Sequence, residues 1–159
     1  SALDCGACGG SISLPNARTL CMIGNKVEIR DKLREELGEA ALAKLTIKAV
    51  ESLTAKLIFI DGVRSPAEIE EFKRRFPGFK LVAIHAPSEI RFRRLTGRER
   101  SDDPKAWEAF LQRELREFKV GVSLAMNLAD KTLENLKGMG EFKAEAAQVL
   151  REMIKDCSS

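Results

Sequence analysis

The chain has 159 residues, a length that suits one domain and is short for two. Hydrophobic residues make up 44% and charged residues 32% of the sequence, a balance that excludes intrinsic disorder and collagen-like structure. The net charge of +3 is too small to indicate a polyanionic partner by itself.

Residues 1–25 differ in composition from the rest, with an excess of Gly, Cys, Ser, Pro and Asn and no sustained apolar period. We expect a loop there, with short strands at most. The N-terminus lacks the apolar core of a signal peptide, and no apolar run in the chain is long enough to span a bilayer. We therefore expect a cytoplasmic protein without a membrane partner.

The Cys5-x-x-Cys8 spacing is typical of zinc or redox pairs. A structural zinc site needs a second pair of closely spaced ligands. The remaining cysteines, Cys21 and Cys157, lie far apart in the sequence. The single histidine, His85, lies far along the chain. Free thiols in a glycine-rich segment are therefore the favoured interpretation.

Apolar residues recur every four positions over residues 26–53, which predicts helix, and Gly38 divides this region in two. Residues 56–60 form a short β-branched and aromatic run, typical of a strand that is buried on both faces. Ser65–Glu68 then supplies an N-cap, a proline at the first helical position and a capping-box glutamate. A helix is predicted from there to about Phe76.

The second half of the chain continues the alternation of strands and helices, with one polar interruption. The predicted elements are a buried strand at 80–85, a helix from 87 to about 95, a polar segment at 96–104, a long amphipathic helix at 105–128, a weak strand at 130–135 and a closing helix at 139–154. Such alternation favours right-handed βαβ crossovers and a parallel sheet covered by helices. The predicted fold class is α/β.

Polar residues follow both strongly predicted strands, where ligands of parallel sheets bind. Asp61 ends the first strand and could hold a metal ion, directly or through water, while Arg64 could reach a phosphate as a bidentate fork. The alternative for Asp61 is a turn residue that accepts hydrogen bonds from the following backbone amides. His85 ends the second strand, and we expect a buried, hydrogen-bonded histidine there.

The densest charge cluster lies between Arg91 and Arg100 and contains five arginines. Arg91, Arg94 and Arg98 share one helix face, where like charges repel unless an anion or carboxylates neutralise them. Three interpretations are open: a solvated face paired with local Asp and Glu, a lid that closes over a polyphosphate, or a nucleic-acid interface. The Glu-rich neighbouring helices disfavour the last, because that mode needs a broad basic surface.

Several stretches together carry a resemblance to a known family. They are Leu33–Gly38, Ala43–Ile47, Ile60–Pro66, Leu81–Ala86 and Arg98–Pro104, with Ala129-Asp130, Asn135 and Glu141–Lys143 near the end. From about residue 33 to residue 155 the sequence resembles an uncharacterised archaeal family of P-loop proteins related to dephospho-CoA kinase and adenylate kinase.

The resemblance implies a three-layer α/β fold of the nucleoside-monophosphate-kinase type. It implies a protein that binds ATP and Mg²⁺ and transfers a phosphoryl group to a small phosphorylated acceptor. Asp61 and Arg64 would lie near the phosphates, and Arg98 and Arg100 would lie in a lid at about 96–104. Asn135 would lie near the nucleotide base. In this interpretation residues 26–159 form the kinase-like domain.

The phosphate loop of that family, G-x-x-x-x-G-K-[ST], is altered in this chain. Gly6, Gly9 and Ser13 fit the register, so Gly6 and Gly9 would cradle phosphate and Ser13 would hold Mg²⁺ together with Asp61. Ser11 replaces the second motif glycine, and the lysine that would bridge the phosphates is absent. The five residues before the loop make a poor first strand. A non-catalytic binding or interaction protein of the same fold is therefore the alternative function.

Another departure concerns the segment between the altered loop and Leu33. Gly24-Asn25 aligns with a Gly-Asp pair that precedes an Ile-Arg pair in the family, which would place Arg30 at the acceptor phosphate. Residues 1–25 are thus expected to form an atypical N-terminal segment.

Overall fold

A computed structural model of the chain describes residues 2–4, 11–13, 17–21, 27–98 and 103–156. Helices alternate with short strands, and two of the three strand pairs are parallel, so the predicted α/β class is confirmed. The chain divides into two compact units, one that runs to Phe79 and one from Lys80 to Asp156.

The described residues of the first unit form four strands in two pairs. Strand β1 (Ala2–Asp4) pairs with β2 (Ser11–Ser13) in antiparallel fashion. Strand β3 (Ala17–Cys21) runs parallel to β4 (Leu57–Asp61), with Cys21 opposite Asp61 at the carboxyl ends. Strand β4 was predicted from its apolar run. Strand β3 contains Arg and Thr between its apolar residues, so the sequence did not predict it as the partner of β4.

The helices of the first unit begin and end close to the predicted residues. They are α1 (Val27–Leu37), α2 (Ala41–Glu51) and α3 (Pro66–Arg75). Gly38 has a φ of +91° and separates α1 from α2 as predicted, because a residue with a side chain rarely adopts this conformation. The core of the unit joins α2 to α3 and β4, and contains Leu42, Ala43, Ile47 and Phe72, with Leu33, Ile60, Val63, Phe76 and Phe79 packed against them.

The start of α3 confirms the predicted capping box. Ser65 is extended and its hydroxyl accepts a hydrogen bond of 3.3 Å from the backbone N–H of Glu68. In return the Glu68 carboxylate accepts one of 3.2 Å from the backbone N–H of Ser65. Two donors that the helix itself cannot satisfy are thereby paired.

In the second unit, the described residues form one parallel strand pair and four helices. In chain order they are β5 (Val82–His85), α4 (Ser88–Thr96), α5 (Trp107–Val120), α6 (Val122–Asn127), β6 (Lys131–Glu134) and α7 (Met139–Asp156). Strand β6 pairs with β5 so that Glu134 lies opposite His85. The predicted weak strand is thus confirmed. Leu133 is buried and anchors β6, while the other three residues of the strand are exposed.

The long helix predicted over residues 105–128 is wrong at one point. Gly121 has a φ of +102° and ends α5, and α6 starts directly after it. The Gly121 N–H donates to the carbonyl groups of Glu117 at 3.2 Å and Phe118 at 3.0 Å, the pattern of a glycine cap. Apolar periodicity continues through the break, so periodicity alone did not reveal it.

Helix α7 has 18 residues and carries charged residues along its length. In the described ranges, no helix is both long enough and apolar enough to cross a membrane.

Candidate functional site

The carboxyl end of β4 leads directly into the candidate site of the first unit. Asp61 is the last residue of the strand and is partly buried. Gly62 follows with a φ of +97°, a conformation that turns the chain toward Arg64 and the start of α3. The structure thus places Asp61 and Arg64 at the sheet edge where the sequence predicted them.

A buried carboxylate organises this edge. Glu68 is fully buried, and its Oε1 accepts a hydrogen bond of 2.9 Å from Nη2 of Arg34. Its Oε2 accepts a hydrogen bond of 2.8 Å from the backbone N–H of Arg64. One carboxylate therefore connects α1 to the residues that follow β4, and it balances one positive charge in a place that water does not reach.

Two arginines of α1 present further donors at this place. Arg30 and Arg34 lie one helical turn apart and flank Leu33, which packs on the core of the unit. Among the residues that the structure describes, the Nε atoms of Arg30 and Arg34 are buried without a hydrogen-bond partner. The carboxylate of Asp31 lies 3.7 Å from Nη1 of Arg34. Buried donors of this kind stabilise an anion placed against them.

The residues of this edge are compatible with Mg²⁺ in one specific way. Mg²⁺ commonly binds through one or two carboxylates, substrate phosphates and water, and Asp61 offers one carboxylate. Within the described part of the chain, no group of three or more His, Cys, Asp and Glu side chains could hold a metal ion. A magnesium ion here would therefore need the oxygens of a bound phosphate.

In the second unit, Arg91 of α4 binds protein acceptors. Nη1 of Arg91 donates to Oε1 of Glu114 at 2.6 Å, and its Nη2 also contacts this carboxylate. Its Nε donates to the backbone carbonyl of Ala86 at 2.9 Å. These contacts connect α4 to α5 and to the end of β5, so Arg91 has a structural role.

Arg94 and Arg98 are held in a similar manner, although Arg98 follows the end of α4 at Thr96 and therefore does not share a helix face with Arg91 and Arg94 as predicted. Nη1 of Arg94 donates to the backbone carbonyl of Asn135 at 2.9 Å. Nη2 of Arg98 donates to Oδ1 of Asp103 at 2.6 Å and its Nε to Oδ2 at 3.2 Å, a bidentate pair with a buried carboxylate. These contacts favour the interpretation of locally paired arginines over a surface of free positive charge.

Asn135 follows β6 and is held by its backbone. Its N–H donates to the carbonyl of His85 at 2.7 Å. Nδ1 of His85 lies 3.0 Å from Oε2 of Glu134, and both side chains are about half exposed. The expectation of a buried histidine is therefore wrong, because β5 is covered only at its start and its last two residues face solvent.

The structure brings some of the predicted site residues together. Asp61, Arg64 and Arg30 belong to the first unit, and Arg98 and Asn135 belong to the second. Ser13 ends β2, a strand paired with β1, and its role as a magnesium ligand stays a prediction. Gly6, Gly9, Arg100 and the Cys5–Cys8 pair lie outside the described residues.

Sequence reasoning missed the role of Arg34 in this site. Its partner Glu68 was assigned only to the helix cap, and the two residues are 34 positions apart. The four-residue spacing between Arg30 and Arg34 on a predicted helix was an available signal, since it places both on one face.

Comparison with known proteins gives clear relatives. A UPF0200 protein of Pyrococcus horikoshii is 41% identical over 129 residues, which cover 79% of this chain and 69% of the relative. The chain belongs to the UPF0200 family. A UPF0200 protein of Pyrococcus furiosus is 41% identical over 81% of this chain and 71% of its own length, and one of Methanoregula boonei is 40% identical over 79% and 69%.

These UPF0200 relatives are archaeal proteins, as the sequence resemblance implied. The further relation to P-loop kinases stays a proposal. Residues 1–49 also match a family described as the probable inorganic carbon transporter subunit DabA. That match covers less than half of the chain and does not establish membership of that family.

Proposed function

We propose that the first unit binds the phosphate of a nucleotide-type small molecule, as a member of the P-loop kinase class would bind its acceptor. The observation that carries this proposal is that, within the described part of the chain, the Nε atoms of Arg30 and Arg34 are buried without a hydrogen-bond partner, and Arg34 also contacts Glu68 just after β4. Arg64 follows β4 directly, and its backbone N–H donates to the same Glu68 carboxylate that Arg34 contacts.

The charges at this edge support an anionic ligand of that size. The guanidinium of Arg34 contacts the fully buried carboxylate of Glu68, and in the described residues the Nε atoms of Arg34 and Arg30 remain buried donors without a hydrogen-bond partner. An unsatisfied buried donor costs about 1–3 kcal/mol, so a ligand that accepts from both Nε atoms recovers part of this cost. A phosphate matches because its several oxygens accept hydrogen bonds from planar guanidinium groups.

The ancestral chemistry in this proposal is phosphoryl transfer from ATP. Asp61 would hold Mg²⁺ beside the phosphates, and the metal would neutralise charge on the transferring group. Arg30 and Arg64 orient the acceptor phosphate. Gly6, Gly9 and Ser13 would contact the donor phosphates, Arg98 and Arg100 would close over them, and Asn135 would lie near the base.

Ile12 stands where the phosphate loop of a P-loop kinase has lysine. A charge-assisted contact to phosphate contributes about 1.5–3 kcal/mol, and more when it forms only in the transition state. We therefore propose that binding is retained and that turnover is slow. The altered loop equally favours the second candidate function, a binding protein without catalysis.

Isothermal titration calorimetry with AMP and with ATP·Mg²⁺ tests the proposal. We expect saturable heat for the chain and at least a roughly tenfold weaker affinity for AMP in Arg30→Gln. Lys32→Gln is the matched control, because Lys32 lies on the same helix with an exposed side chain. Absence of heat at millimolar ligand, or equal affinities in the two variants, would disprove phosphate binding at this edge.

A coupled assay of ADP release then separates the two candidate functions. Turnover that Asp61→Asn abolishes would establish an enzyme. Binding without turnover would establish the non-catalytic alternative.

A further inference from the structure

A cleft in the second unit is lined mainly by residues of α4. It has a volume of about 400 Å³ and is lined by Glu89, Phe92, Arg93, Thr96 and Trp107. On a helix with 100° per residue, the four lining residues of α4 lie on the side opposite Arg91 and Arg94. The volume is within the range of small-molecule sites.

The apolar wall of the cleft is a cluster of aromatic rings. The rings of Phe92 and Trp107 meet edge to face with centroids 5.2 Å apart. Trp107 also stacks on Phe110 at 5.2 Å, and Phe110 is almost fully buried. The indole is therefore fixed from within the protein while 36% of the residue remains exposed. Such a ring offers a flat surface on which another planar ring can stack.

The polar groups of the cleft are a carboxylate and a guanidinium one helical turn apart. Glu89 and Arg93 are both exposed, and in the described residues their charged groups form no hydrogen bond or ion pair, with each other or with other side chains. Arg91 and Arg94 of the same helix are both bonded to protein acceptors. The hydroxyl of Thr96 already contacts the carbonyl groups of Phe92 and Arg93.

We propose that this cleft binds a guanine base. The ligand must be planar to stack on Trp107, must donate to the Glu89 carboxylate, which only accepts, and must accept from the Arg93 guanidinium, which only donates. Guanine has two parallel donors, N1–H and N2–H, and two adjacent acceptors, O6 and N7. Adenine presents only its exocyclic amine as a strong donor and cannot form two parallel hydrogen bonds to a carboxylate.

The single tryptophan of the chain makes the test direct. Titration with guanosine, which carries no phosphate, is expected to quench the Trp107 fluorescence to saturation. Adenosine and cytidine are expected to bind at least roughly tenfold more weakly, since each loses a charge-assisted hydrogen bond. Quenching that rises linearly without saturation, or equal affinities for guanosine and adenosine, would overturn the assignment.

Two matched pairs of variants locate the site. Glu89→Gln and Arg93→Gln are each expected to weaken guanosine binding about tenfold or more. Glu108→Gln and Arg116→Gln change exposed charges of α5 outside the lining and are expected to leave it unchanged. All four sites are exposed helix positions, and far-UV circular dichroism verifies folding. Equal affinities across the four variants would overturn the proposal.

Guanosine binding at the cleft can be tested independently of phosphate binding in the first unit. Arg30→Gln should leave guanosine quenching unchanged, because Arg30 is not among the residues that line the cleft. Failure of guanosine binding would therefore leave the proposed function standing, and failure of AMP binding would leave the guanine site standing.

Discussion

Nη2 of Arg34 lies 2.9 Å from Oε1 of Glu68, and this ion pair joins α1 to α3 across 34 residues of sequence. The Glu68 side chain is fully buried and that of Arg34 is 12% exposed. The same carboxylate caps α3 through Ser65 and holds the backbone of Arg64. One buried side chain thus organises both the fold of the first unit and its candidate phosphate site.

Removal of the arginine should destabilise the protein strongly. Arg34→Met leaves a buried carboxylate without its cation, and we expect a loss of about 3–5 kcal/mol in the free energy of unfolding by urea. Arg74→Met is the control, because Arg74 pairs with Glu71 at 2.6 Å on the surface with a largely exposed side chain. Its loss should stay below about 1 kcal/mol. Similar losses in both variants would contradict the role assigned to burial.

Loss of the helix cap of α3 should lower the free energy of unfolding by less than loss of the Arg34–Glu68 ion pair. Ser65→Ala removes the hydroxyl that accepts from the Glu68 N–H, and we expect a loss of about 1 kcal/mol in the same urea measurement. Ser52 follows α2, and its exposed hydroxyl donates to the carbonyl of Ala49 at 2.7 Å. Ser52→Ala should change stability by less than about 0.5 kcal/mol. A cost for Ser52→Ala equal to that for Ser65→Ala would argue against the capping box.

The break between α5 and α6 can be tested with two glycines. Gly121→Ala forces a side chain into a φ of +102° and should cost about 1–2 kcal/mol in thermal or urea unfolding. Gly140→Ala replaces a glycine in α7 that has open space around its Cβ position. It should be neutral or stabilise the protein by up to about 1 kcal/mol. A stabilising Gly121→Ala would mean that a continuous helix forms instead.

The paired arginines at positions 91, 94 and 98 predict weak binding to nucleic acid. Because Arg91, Arg94 and Arg98 donate to protein acceptors, few guanidinium groups remain to displace counterions from a phosphate backbone. We expect fluorescence anisotropy with a labelled single-stranded RNA to show little affinity and a shallow dependence on salt. A steep decrease of affinity with salt that Arg94→Gln reduces would support the nucleic-acid alternative.

Features that depend on residues close together in the sequence were predicted correctly, whereas contacts between distant segments were missed. The capping box of Ser65 and Glu68 and the break at Gly38 were predicted correctly, because each depends on residues within one helical turn. Strand β3 was not predicted as the partner of β4, because strand pairing depends on contacts between distant segments. The relation to P-loop kinases and the roles of Gly6, Gly9 and Arg100 stay predictions.

Periodicity, turn residues and apolar runs in the chain were enough to establish the α/β class and most helix bounds, since these depend on local backbone preferences and on which face is apolar. Folding decided which charges meet. Glu68 could be assigned to a cap from its neighbours, but only packing of α1 against α3 brings Arg34 to it. Likewise, exposure of His85 depends on what covers the end of β5, which no local pattern encodes.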